Sequence, residues 1–131
     1  MEPQPSTSLT QHIQPNEMVP IEICQQAIIE TLLESIPVNL IPDTLQVVSV
    51  FDRQRDRYQL LCQGWVKEEK RVFYPVIHIE IIHGKVWIQH NQSDLDIGEA
   101  LSNHGIPKSQ IVLGLYPPSI RQLNPTYAVQ H

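Results

Sequence analysis

The residues of this chain that could do chemistry are its histidines, two cysteines and a few carboxylates lying near a lysine. His78, His83, His90 and His104 fall within one stretch. A zinc site on a helix needs two histidines one turn apart with a carboxylate companion, and no pair here has that spacing. Strand alternation turns His78 to one sheet face and His90 to the other, with His83 in a turn, so they do not converge. Ordinary sheet and surface histidines are the expectation, with no metal. Asp43, Glu80 and Lys85 have the residue types of a metal-dependent nuclease, which clusters carboxylates and a lysine at the scissile phosphate. A turn separates Glu80 from Lys85, however, and no second strand acid lies adjacent; a cross-strand Glu–Lys pair is the simpler reading. There is no G-x-S-x-G, and neither Cys24 nor Cys62 has a histidine placed beside it. The 5 glycines are scattered and form neither a phosphate loop nor a dinucleotide fingerprint. No catalytic residue and no cofactor is therefore expected, and the chain reads as a control or interaction protein rather than an enzyme.

Charge points the same way. The formal net charge is −5, whereas binding to nucleic acid is driven largely by neutralising phosphates with lysine and arginine. The best basic cluster is Arg53, Arg55 and Arg57 at a hairpin tip, but Asp52 and Asp56 interleave with it. Lys67, Lys70 and Arg71 are offset likewise by Glu68 and Glu69. A solvated hairpin end is expected; a DNA-contacting ribbon built on the three arginines is the alternative, and direct DNA contact stays open. Two cysteines without C-x-x-C spacing read as reduced core residues of a cytoplasmic protein. The first twenty residues have neither the basic start nor the apolar stretch of a signal peptide. The apolar runs are too short to span a bilayer, so no membrane contact is expected.

Residues 1–20 are rich in Pro, Ser, Thr and Gln and poor in large apolar groups, the composition of a flexible leader. A single domain is expected over 21–131. From Ile21 the pattern is helical: Ile21, Cys24, Ile28, Ile29, Leu32 and Ile36 share a stripe opposite Glu22, Gln26, Glu30 and Glu34. Pro37 ends it. Four strand-like runs follow, at 45–52, 57–66, 71–82 and 85–90, separated by RQRD, KEEK and HG. These breaks are short enough for hairpins and set the registers. Phe51 should oppose Tyr58, and Val47 should oppose Cys62. Val66 should oppose Arg71, Leu60 Ile77, and Ile79 Ile88.

One face then collects Leu45, Val47, Phe51, Tyr58, Leu60, Cys62, Ile77, Ile79, Ile81, Val86 and Ile88, which the helix should cover. The other face carries Val48, Val50, Leu61, Trp65, Val72, Val76, Ile82 and Trp87 among Gln59, Gln63, His78, Glu80 and Gln89. That is too apolar for a face open to water. The chain's own C-terminal segment, a second copy or another protein must cover it. Ser93, with Asp96 three residues on, is expected to cap a second short helix that Gly105 ends. The remainder holds an apolar run at 111–115, a Tyr-Pro-Pro corner and a loose tail. The fold class is α+β: a four-stranded antiparallel meander packed on an N-terminal helix, with a second short helix and a C-terminal strand or loop segment.

Three stretches carry a family resemblance: FDRQRDRYQLLCQGW (51–65), VFYPVIHIEIIHGKVWIQHN (72–91) and LSNHGIPKSQIVLGLYPPSIRQ (101–122). In order and content they resemble the XisI family, the excision controlling factors of the cyanobacterial fdxN element. The resemblance implies a small α+β protein that binds XisH, a partner similar to endonuclease-fold proteins, and helps a recombinase excise a DNA element. It brings no catalytic residue. It also leaves room for an antitoxin-like paired regulator unconnected with excision. The expected partner-contact set is Trp65, His78, Glu80, Trp87 and Gln89, together with Tyr116, Pro117, Pro118 and Arg121. A homo-oligomer using the same face is the other use for it, since exposed aromatics among polar groups are what protein contacts are built from.

Overall fold

Pro20, held extended at φ −62° and ψ 158°, turns the chain into a helix at the residue where apolar periodicity begins. The structure, a computed structural model, describes residues 18–40 and 42–129. Most of the expected leader, residues 1–17, lies outside the described residues. At its end Val19 is already buried.

Helix α1 (Ile21–Glu34) is followed by strands β1 (Leu45–Asp52), β2 (Arg57–Val66), β3 (Lys70–Ile82) and β4 (Lys85–Asn91). Then come α2 (Ile97–Asn103), a 3-10 turn at Lys108–Gln110, β5 (Ile111–Val112) and the single turn α3 (Pro118–Arg121). The sheet order is β1-β2-β3-β4-β5. Its first three pairings are antiparallel and β4–β5 is parallel, as an α+β meander with a C-terminal strand should be.

α1 buries Cys24, Ala27, Ile28, Thr31 and Leu32, spaced three and four apart. Ile21, expected on that stripe, is exposed at the first turn, and Ala27 and Thr31 widen the face instead. The helix ends at Ser35, one residue short of Ile36 and just ahead of the proline that could not continue it. Against it the sheet presents Tyr58, Leu60, Cys62, Ile77, Ile79, Ile81, Val86 and Ile88, all buried, with Val47 and Phe51 packed at the rim. This is the core face the alternation predicts.

The β1–β2 register pairs Phe51 with Tyr58 and Val47 with Cys62, and the His83–Gly84 turn pairs Ile79 with Ile88, as expected. The β2–β3 hairpin departs from expectation at its turn. Lys67 and Glu68 both take positive φ, 55° and 59°, the backbone of a tight twisted turn. Val66 therefore pairs with Lys70, not Arg71. A register shift beside Leu60 absorbs the difference and restores Leu60 opposite Ile77. Between turn and bulge the faces are exchanged: Val76 packs against the helix-side core and Val72 sits opposite Gly64. Neither belongs to the outer face, where Phe73 and Pro75 stand instead, opposite Gln63 and Leu61. A second bulge in β4 pairs His90 with His78, so His90 leaves the core face to which simple alternation assigned it.

α2 is capped by Asp96, whose carboxylate accepts from the Glu99 amide at 3.0 Å, and not by Ser93. Ser93 instead bonds Asn91 in the turn before it. The helix closes at Gly105, whose φ of +104° suits glycine. Amide bonds from Gly105 to Ser102 and from Ile106 to Leu101 complete the stop.

Candidate interaction surface

Two halves make up the outer sheet face. On the β4 half the chain covers itself. After β5, the Leu115 amide donates to the Ile88 carbonyl at 2.9 Å, and α3 brings Arg121 over Trp87. The guanidinium carbon is 5.4 Å from the indole centroid, within cation–π range, and Arg121 is only 8% exposed. Gly114 lies so close that a Cβ there would come within 2.6 Å of Gln89 Oε1 and 2.8 Å of Trp87 Cε3. Trp87 and Gln89 are thus half-buried beneath the C-terminal segment, while Tyr116, Pro117 and Pro118 form an exposed corner beside them.

Between the halves runs a polar ladder. His78 Nε2 lies 2.7 Å from Glu80 Oε2, and Nδ1 lies 3.1 Å from Gln59 Oε1. Arg57 reaches the same Glu80 oxygen at 3.6 Å. His78 and Glu80 come together as expected, while Asp43 is in the loop before β1 and takes no part.

The β1–β3 half is open. Trp65 is 47% exposed and Phe73 60%, with Val50 and Pro75 also exposed and Leu61 half-buried. Arg71 stacks over Trp65 with its guanidinium carbon 5.6 Å from the ring, and the Thr44 hydroxyl donates to the Trp65 carbonyl. Phe73 joins this patch only because of the β3 bulge. Its signal in the sequence was Pro75: proline has no N–H for a central strand and is tolerated there mainly at a bulge.

The three arginines of the hairpin tip are engaged within the chain. Arg53 Nη2 donates to Gln26 on α1 at 3.2 Å, and Arg55 pairs with Asp52 at 3.2 Å. Arg57 is held by Glu80. Gln25 ties the tip down further, donating to the Arg53 carbonyl at 3.1 Å and to Asp56 at 2.8 Å. The Arg55 amide holds the Asp52 carboxyl below the usual carboxylate range.

On the opposite side of the sheet, Ile36, Val38, Leu40, Val47, Tyr74 and Val76 help line an open cleft of about 510 Å³ beyond the end of α1. His104 clasps the two helices, one ring nitrogen 3.3 Å from Glu30 and the other 2.9 Å from Glu34. No group of three or more potential metal ligands occurs among the described residues. Burial raises the Cys24 thiol to about 11, the reverse of what an activated nucleophile needs. Tyr74 is raised chiefly by its hydrogen bond to Cys62. No described helix is long and apolar enough to cross a membrane.

The architecture is that of a small α+β protein: one amphipathic helix and a short second one on an antiparallel meander, closed by a parallel fifth strand. Residues 18–129 match the family described as XisI protein, and the chain belongs to that family. It is similar to the crystal structure of a XisI-like protein from Anabaena variabilis ATCC 29413, with 31% identity and a TM-score of 0.67. That match covers 84% of this chain and 95% of the other. It is also similar to the fdxN element excision controlling factor XisI from Anabaena variabilis ATCC 29413, at 34% identity and TM-score 0.64, again over 84% and 95% of the two chains. No curated protein matches.

Proposed function

We propose that this chain is a non-enzymatic control protein of DNA-element excision, working in the cytoplasm by binding an XisH-like, endonuclease-fold partner through its outer sheet face. The observation that carries the reading is the open aromatic patch of Trp65 and Phe73. It adjoins the His78–Glu80 ladder on an otherwise self-occupied surface, in a chain whose solved relative is named an excision controlling factor. Aromatic anchors beside satisfied polar groups are the composition of a contact centre and its rim. Trp65 and Phe73 supply the apolar area, and His78 and Glu80 the polar border. The exposed Tyr116–Pro118 corner, with the half-buried Trp87 and Gln89 at its margin, extends the surface toward β5, while Arg121, itself buried, seats Trp87 rather than meeting a partner.

Trp65 is a better probe than Trp87, because removing Trp87 also loosens the seat of Arg121 and Gly114. With the XisH-like protein from the same genome as titrant, Trp65→Ala should weaken binding by at least about 30-fold, the loss of a central anchor worth about 2 kcal/mol. Affinity unchanged in Trp65→Ala and in Phe73→Ala, with both variants folded, would remove this face from the contact.

A further inference from the structure

We propose that the chain pairs with a second copy of itself along the free edge of β1, joining two sheets into one across a two-fold axis at Ser49. The two edges of the sheet are finished differently. At the β5 edge the strand is two residues long, and Val112 is bridged on its far side by Ala128. At the other edge β1 runs for 8 residues, and among the described residues β2 is the only strand paired with it.

A long unpaired edge is a template for another strand unless something blunts it, and the usual devices are lysine, proline, a bulge or a short length. β1 has none. Its pairing to β2 runs unbroken from Leu45↔Gly64 to Asp52↔Arg57, and from Leu45 to Phe51 it carries no charge and no proline. On a molecule of net charge −5, an uncharged strand is also where two copies can approach with least repulsion.

The residues fit their own inverted copy. Two antiparallel strands share faces only when residues of like parity stand opposite each other. With the axis at Ser49, Val48 meets Val50 twice on the outer face and Val47 meets Phe51 twice on the helix face. Gln46 meets Asp52 at each end. Every apolar residue in that span finds an apolar partner, and no like charges are opposed. Moving the axis one residue, to Val48, sets Val50 against Gln46 and Val47 against Ser49, which wastes the match. Val50 is 44% exposed and Val48 half-buried in the single chain, so the pairing removes apolar surface from water. The backbone of both strands supplies the hydrogen bonds, as in strand addition generally.

The test uses the full chain alone, so that it stands apart from the partner reading above. Light scattering at about 100 µM, above the micromolar range where weak interfaces form, should give the mass of a dimer. Val50→Lys should raise the dimer dissociation constant at least tenfold. Ser49→Cys should form an intermolecular disulfide under mild oxidation, while Gln54→Cys at the hairpin tip should not. A monomer at that concentration overturns the proposal. So does a dimer that Val50→Lys leaves intact and Ser49→Cys fails to cross-link.

Discussion

Gln110 is 1% exposed, and replacing it tests how the N-terminal entry is held on the fold. Its Oε1 accepts from the Val19 amide at 2.8 Å, and its Nε2 donates to the carbonyls of Val19 at 3.0 Å and Gly84 at 2.9 Å. One side chain thus ties the entry to α1, the β3–β4 turn and the turn before β5. Gln110→Met keeps the volume and removes these three bonds together with a weaker one from Nε2 to Cys24 Sγ at 3.4 Å. The stranded N–H of Val19, a residue that is itself buried, costs about 1–3 kcal/mol, and each carbonyl bond is worth about 1 kcal/mol net. Allowing for the apolar gain from methionine, the loss should be about 3 kcal/mol, a large share of the roughly 5–15 kcal/mol of a typical domain. In urea unfolding, with a slope near about 1.5 kcal/mol/M, the midpoint should fall by about 2 M with the slope unchanged. Gln110→Glu keeps the acceptor but points a carboxylate at two carbonyl oxygens. It should be the worse variant at neutral pH and recover in part on acidification, as the protonated acid regains one donor. A loss below about 1 kcal/mol in Gln110→Met would refute the clamp.

Thr31 is 2% exposed and its hydroxyl finds no hydrogen-bond partner among the described residues, so Thr31→Val should stabilise the domain by about 1 kcal/mol in the same urea assay. Cys24 is fully buried with its thiol raised from 9.0 to about 11 by burial. At pH 8 it should react with a thiol reagent only through unfolding, at a rate that urea accelerates. The folded pKa is the higher one, so the contribution of the neutral thiol is complete below pH 9 and is lost as the pH rises through about 11. Stability measured across that window should therefore fall, and Cys24→Ala should flatten the fall.

Most of the fold was legible because sheet alternation is binary. Once His83–Gly84 and RQRD fixed two turns, the core positions from Tyr58 to Ile88 followed, and α1 followed from its stripe. The outer face was less legible, for one local reason. Parity holds only along an unbroken strand, and the bulges in β3 and β4 exchange faces for Val72, Val76 and His90 while bringing Phe73 outward. Pro75 marked the first of these; nothing comparable marks the second. The capping of α2 by Asp96 rather than Ser93 reflects competition, since Asn91 captures the serine hydroxyl at 2.6 Å. That the C-terminal segment lies over Trp87 while Trp65 stays open depends on contacts between Trp87 and Arg121, 34 positions apart in the chain, which no local pattern encodes.

Whether the outer face binds an XisH-like partner is read from co-expression of this chain with the XisH-like protein from its genome, followed by light scattering of the purified material. A stoichiometric complex should form that withstands dilution to about 1 µM and that Trp65→Ala weakens. Two species that elute separately at their own masses would contradict it.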